Sequence, residues 1–242
     1  MTLAHRHFPA PTPTPDAPPV LLLHGFTSSA DADFVSTGWV DALHEAGRAV
    51  ITVDLPGHGS SAAISAAEQA TTSGVLRAIA DTVTAVSPSG PIDVIGYSLG
   101  GRLAWDLPQH SDRVRRLVLG GVSPFEPFSA VDSAALAEAL GGTPAENPLV
   151  GMMAAMISAP GQDTASLARL IAGLAGEPFT PATSAPQQPT LLVAGETDPM
   201  TEGIAELATL LRAGTLRRVP GDHRGALDSA EFRAAAIEFL AG

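Results

Sequence analysis

Short apolar runs alternate along this chain with segments whose apolar positions repeat at helical spacing. Val20–Leu23, Ala49–Val53, Ile92–Ile95, Arg116–Leu119 and Thr190–Val193 are largely apolar, and Leu216–Val219 is a short run with apolar ends. Runs of that length and character predict strands covered on both faces, as in a parallel sheet. Between them, Trp39–Ala46, Val75–Val86, Leu99–Leu107 and Glu231–Leu240 carry helix-spaced apolar residues. Strand and helix in turn predict an α/β fold: a mostly parallel, doubly covered sheet. The prolines at 9, 11, 13, 15, 18 and 19 predict an extended, polyproline-like lead-in.

One stretch breaks the alternation. From Ser123 to Pro189 there are helical patterns (Val131–Leu140, Val150–Ile157, Ser166–Leu174) but no strand. A structureless connection of about 65 residues does not suit a compact domain. The segment is therefore expected to be a small helical cap insertion, residues 123–189, within a core formed by 1–122 and 190–242.

Composition narrows the chemistry. The chain has 242 residues, enough to bury a sizeable core without metals or disulfides. It has no cysteine, which excludes thiol nucleophiles and Cys-ligated metals. All 13 basic residues are arginine, which excludes Schiff-base lysines and phosphate-loop lysines. A net charge of −12 argues against a nucleic-acid partner. No apolar run is long enough for a membrane span or a signal peptide, so the expected setting is cytoplasmic. Oligomeric state is not legible.

The strongest chemical signal is Gly96-Tyr97-Ser98-Leu99-Gly100-Gly101, which follows an apolar strand and opens a helix. That is the context of a nucleophile elbow: a tight turn pushes the serine hydroxyl out at a helix N-terminus, where developing negative charge is favoured. A serine needs a base and an orienting acid, in the chain order Ser, Asp or Glu, His. Of the two histidines after Ser98, His110 lies at the far end of the helix starting there, roughly 15 Å away. His223, in a loop after the last strand, is the expected base. Asp198, stiffened by Pro199 after a strand, is the expected acid; Glu126 and the adjacent Asp222 are its rivals. The amides of Phe26 and Leu99 are the expected oxyanion hole, with Gly25 allowing close approach of backbone to substrate. His24 is expected to brace its loop and do no chemistry.

Two other patterns lead nowhere. Gly57-His58-Gly59-Ser60-Ser61-Ala62 fits a dinucleotide fingerprint, but Pro56 precedes it and no acidic partner follows at a strand end. His44-Glu45 does not extend into a zinc-binding helix, so no metal is expected.

Taken in order, His24-Gly25-Phe26, Asp54-Leu55-Pro56-Gly57-His58-Gly59, Gly96-Tyr97-Ser98-Leu99-Gly100-Gly101, Gly195-Glu196-Thr197-Asp198 and Gly221-Asp222-His223 resemble the α/β-hydrolase superfamily. That resemblance covers nearly the whole chain and implies the same Ser98-Asp198-His223 triad. Arg224 after the base departs from the aromatic or apolar residue many members carry. Gly-Tyr-Ser-Leu-Gly-Gly-Arg, residues 96–102, is also similar to the menaquinone-pathway lyases of that superfamily, in which the arginine helps hold substrate carboxylates. Against that role, Arg102 has an ordinary partner in Asp106 at i,i+4. The expected function is cofactor-free hydrolysis of a small-molecule carboxylic ester. Phe125, Met152, Met153 and Met156 would line an apolar pocket, with Gly25 and Arg102 also at the substrate. The alternative is a lyase of the menaquinone type using the same triad on a polycarboxylate.

Overall fold

The computed structural model describes residues 3–242. Seven strands form one sheet: β1 (His5–Phe8), β2 (Val20–Leu23), β3 (Val50–Val53), β4 (Ile92–Tyr97), β5 (Val114–Gly120), β6 (Thr190–Gly195) and β7 (Gly214–Val219). Their order is β1-β3-β2-β4-β5-β6-β7; every pairing is parallel except β1 with β3. This is the fold the apolar runs predict, and it places the C-terminal ends of the parallel strands along one edge.

Alternate strand residues feed two separate cores. Leu21, Leu23, Val53, Leu117 and Leu192 face α2 (Thr72–Val86), α3 (Leu99–Asp106) and α8 (Ile204–Leu210). Val20, Leu22, Val50, Val118 and Val193 face α1 (Trp39–Glu45) and α10 (Ala230–Ala241), where Trp39 packs edge-on against Phe232. The predicted lead-in is partly a strand: His5–Phe8 lies antiparallel on the outer edge of β3. As an edge strand with an HRHF sequence it is mostly exposed and carries no apolar signature.

The stretch between β5 and β6 forms helices joined by turns and loops, with no strand. It holds α4 (Ser133–Leu140), α5 (Pro148–Ile157), α6 (Thr164–Gly176) and the short α7 (Pro181–Ser184). Asp132, Asn147 and Asp163 accept backbone N–H bonds at the starts of α4, α5 and α6. No helix among the described residues is long and apolar enough to cross a membrane.

Candidate active site

The turn from β4 into α3 carries Ser98 at φ 53°, ψ −116°, a conformation L-residues avoid and one that costs on the order of 1–3 kcal/mol. It is held by hydrogen bonds from Ser98 N–H to Gly120 O (2.8 Å) and from Arg102 N–H to Ser98 O (2.9 Å). Gly100 is needed there for close approach, because a Cβ would collide with the backbone carbonyl of Leu23 on β2. Strand and helix thus clamp the turn, and the serine stands at the C-terminal edge of the sheet.

Asp198 and His223 come from the neighbouring strand ends. Asp198 is buried; its Oδ1 accepts the Met200 N–H (2.8 Å) and its Oδ2 lies 2.8 Å from His223 Nδ1. A carboxylate only accepts, so Nδ1 donates and Nε2 is left with its lone pair. The sequence places His223 in a loop; it is in fact the first residue of a short helix, α9 (His223–Asp228). Asp222, a rival for the acid role, caps that helix by accepting from Arg224 N–H and Gly225 N–H. The Tyr97 hydroxyl donates to the His223 carbonyl. Gly121, at φ +66°, fits beneath the ring because a Cβ would lie 2.9 Å from both His223 Cε1 and Tyr97 Cζ.

The loop after β2 is held by three side chains. His24 donates from Nδ1 to Gly25 O (2.7 Å) and accepts the Leu55 N–H at Nε2 (2.9 Å), the bracing role expected of it. His58, from the glycine-rich turn after β3, donates from Nδ1 to Pro56 O and accepts the Thr27 N–H at Nε2 (3.0 Å). Asp33 accepts from Gly25 N–H (2.8 Å), Ser28 Oγ (2.5 Å) and Arg224 Nη1 (2.7 Å). The amides on either side of Phe26 are therefore engaged. Those of Phe26 and Leu99 donate to no protein acceptor among the described residues.

Ser98, His223, Phe26 and Leu99 line one cavity of about 560 Å³. Gly25, Arg102, Phe125, Met152, Met153 and Met156 line it too. Neither the Ser98 hydroxyl nor His223 Nε2 is hydrogen-bonded to another protein group among the described residues. At the mouth stand Phe125, Met152 and Met200, three of the four large apolar side chains that are markedly exposed among the described residues.

Arg102 departs from the exposed i,i+4 pair with Asp106. It is buried, and its Nη2 lies 2.5 Å from Glu126 Oε2. The same nitrogen donates to Thr72 Oγ1 (3.2 Å) and Glu177 O (3.1 Å). The physical reason is crowding: α3 is covered by the start of α2 and the end of α6, so the solvated face that a helix-surface pair presumes does not exist. Glu126, the other rival acid, also accepts the Phe128 and Phe179 N–H groups and is not placed at His223. Arg102→Ala would leave a buried carboxylate without its cation, which costs about 3–5 kcal/mol. A fall of that size in urea unfolding free energy is expected, where an exposed pair would cost tenths.

The two buried histidines give the fold a pH dependence. Burial holds His24 below its ordinary value and brings His58 to about 3. The folded state binds fewer protons than the unfolded one below about pH 6.5, so stability falls as pH drops from there toward 3. His58 contributes about 1.4 kcal/mol per pH unit in that window, and His24 acts in the same direction. Unfolding midpoints at pH 7 and 5 should differ less in His58→Gln than in the wild type; equal differences would count against this origin.

No sequence signal pointed to Asp33, Tyr97 or His58 as supports: Tyr97 and His58 act on backbone far away in the chain, and Asp33 joins the nearby Gly25 amide to the distant Arg224 guanidinium. Arg224 was visible only as an oddity; it ties α9 to the β2 loop through Asp33.

The α/β-hydrolase fold family model matches residues 18–141. The chain belongs to this family. Over 104 residues it is 35% identical to 2-succinyl-6-hydroxy-2,4-cyclohexadiene-1-carboxylate synthase of Salmonella paratyphi C; the match covers 43% of this chain and 36% of that protein. The chain thus spans about a third of the length of the curated relatives it matches. Among solved structures, a hydrolase from Pseudomonas aeruginosa PA01 superposes with a TM-score of 0.73 at 23% identity, covering 99% of this chain and 94% of that one. MenH from S. aureus gives 0.73 at 20% identity, covering 100% and 98%. At these identities the two structures show a shared fold.

Proposed function

We propose that this α/β hydrolase cleaves uncharged carboxylic esters through Ser98, His223 and Asp198. Ser98 Oγ attacks the ester carbonyl carbon while His223 Nε2 takes its proton. Asp198 keeps the ring in the Nδ1–H tautomer and stabilises the imidazolium. The free amides of Phe26 and Leu99 receive the oxyanion. The imidazolium then protonates the departing alkoxide, leaving an acyl-Ser98 ester. His223 next deprotonates water, which attacks that ester, and the carboxylic acid leaves as Ser98 regains its proton. Residues 123–189 act as a cap over the apolar side of the cavity, with Met152, Met153 and Met156 against the acyl or alcohol group.

One observation carries the choice of an uncharged substrate. The two cations lining the cavity, Arg102 and Arg224, are already paired with the buried carboxylates of Glu126 and Asp33. The remainder of the lining is largely apolar, so a substrate carboxylate would lose its water without gaining a free counter-ion.

The curated relatives favour a second reading. They are named as synthases of a compound bearing succinyl and ring-carboxylate groups, and they point to lyase chemistry with the same triad more than to ester hydrolysis. A panel of p-nitrophenyl esters of rising acyl length separates the two. The expected result is turnover of neutral esters, with no binding of succinate or related dicarboxylates at micromolar concentration. Failure to turn over any neutral ester, with micromolar dicarboxylate binding that is lost in Arg102→Gln, would put the lyase first.

A further inference from the structure

We infer that Glu126 sets the charge preference of the cavity by acting as a built-in counter-ion to Arg102, so that substrates carrying a carboxylate are discriminated against. This deepens the hydrolase reading and rests on it. Arg102 lines the cavity, while Glu126 is not among the residues lining it. The acid reaches the guanidinium at Nη2 and is itself buried, with 6% of its side chain exposed. It is held independently of the arginine: Oε1 accepts the Phe128 N–H (3.0 Å) and Oε2 the Phe179 N–H (2.9 Å). Those two bonds fasten it to both ends of the helical segment, so the carboxylate is a fixed charge and not a mobile one.

The guanidinium is only partly used. Its Nε and Nη1 are buried with no hydrogen-bond partner. Its Cζ lies 6.0 Å from the ring centroid of Phe128, a cavity-lining residue. These two nitrogens are closed off from solvent, so the pair acts on a group in the cavity through its net charge and not through a free N–H. In a buried setting one uncompensated charge near a bound anion is worth much more than in water. Asp106 and Glu177 also act on Arg102, but Glu126 is the carboxylate in contact with it, and by offsetting that cation it tilts the cavity against an anionic group.

The test is a charge cycle on this pair, read as a ratio of kcat/KM values for mono-p-nitrophenyl succinate, an anion, over p-nitrophenyl butyrate, its neutral analogue. Glu126→Gln leaves the pair at +1 and should raise the ratio about tenfold. Arg102→Gln leaves it at −1 and should lower the ratio by a similar factor. The double variant restores zero net charge, and its ratio should return to within about twofold of wild type. A purely structural role would lower both kcat/KM values together and leave the ratio unmoved. Either single variant suffices if the other does not fold, since the two predict shifts of opposite sign. A ratio blind to the charge of the pair, while both esters are hydrolysed, overturns this inference alone. No hydrolysis of either ester by the wild type overturns the hydrolase reading instead.

Discussion

Ser98→Ala should lose activity toward neutral esters by about five to six orders of magnitude, the scale on which removing a nucleophile acts when base and oxyanion donors remain. Its fold should survive. The turn is held by backbone bonds to Gly120 O and from Arg102 N–H, and the serine side chain makes no hydrogen bond that alanine would forfeit. A circular-dichroism melt and a burst-free steady-state assay on the same preparation check both halves. A folded variant that keeps more than about a tenth of wild-type turnover would remove Ser98 from the mechanism.

Asp198→Asn should be the second largest effect, a loss of about four orders of magnitude in kcat at nearly unchanged KM. Asparagine keeps the volume, and its amide oxygen can still accept the Met200 N–H. Its NH2 group, placed toward His223 Nδ1, favours the tautomer that has its lone pair on Nδ1 and its proton on Nε2. The ring would then present a proton to Ser98 where a lone pair is needed. Rates within a factor of about ten of wild type, measured with p-nitrophenyl butyrate, would show that the acid is not Asp198.

What the sequence made legible follows from burial. The inner parallel strands β2 to β6 are largely covered on both faces, so their apolar runs stand out, while β7 is mostly exposed; five ordered motifs around them mark the fold. Ser98, Asp198 and His223 lie just beyond strand ends, in segments set by glycine and proline, and were therefore visible. β1 was missed because an exposed edge strand needs no apolar pattern. α8 was missed because only Ile204 and Leu207 of its seven residues are buried. The partner of Arg102 was misjudged because i,i+4 spacing describes an exposed helix face. Glu126 is 24 positions further on, and it reaches Arg102 only once the segment after β5 folds back over α3. Asp33 is similar: its work is to hold the amide of Gly25 and the guanidinium of Arg224, 191 positions apart from itself in the latter case.

The proposed mechanism turns on Ser98 being the group acylated by the substrate. The most direct measurement is mass spectrometry of the protein after brief exposure to a p-nitrophenyl ester and acid quench, with a fluorophosphonate probe as the stable analogue. One adduct per chain is expected, mapped to the peptide carrying Ser98 and absent from Ser98→Ala. An adduct on another residue, or ester turnover with Ser98 unmodified under both reagents, would contradict it.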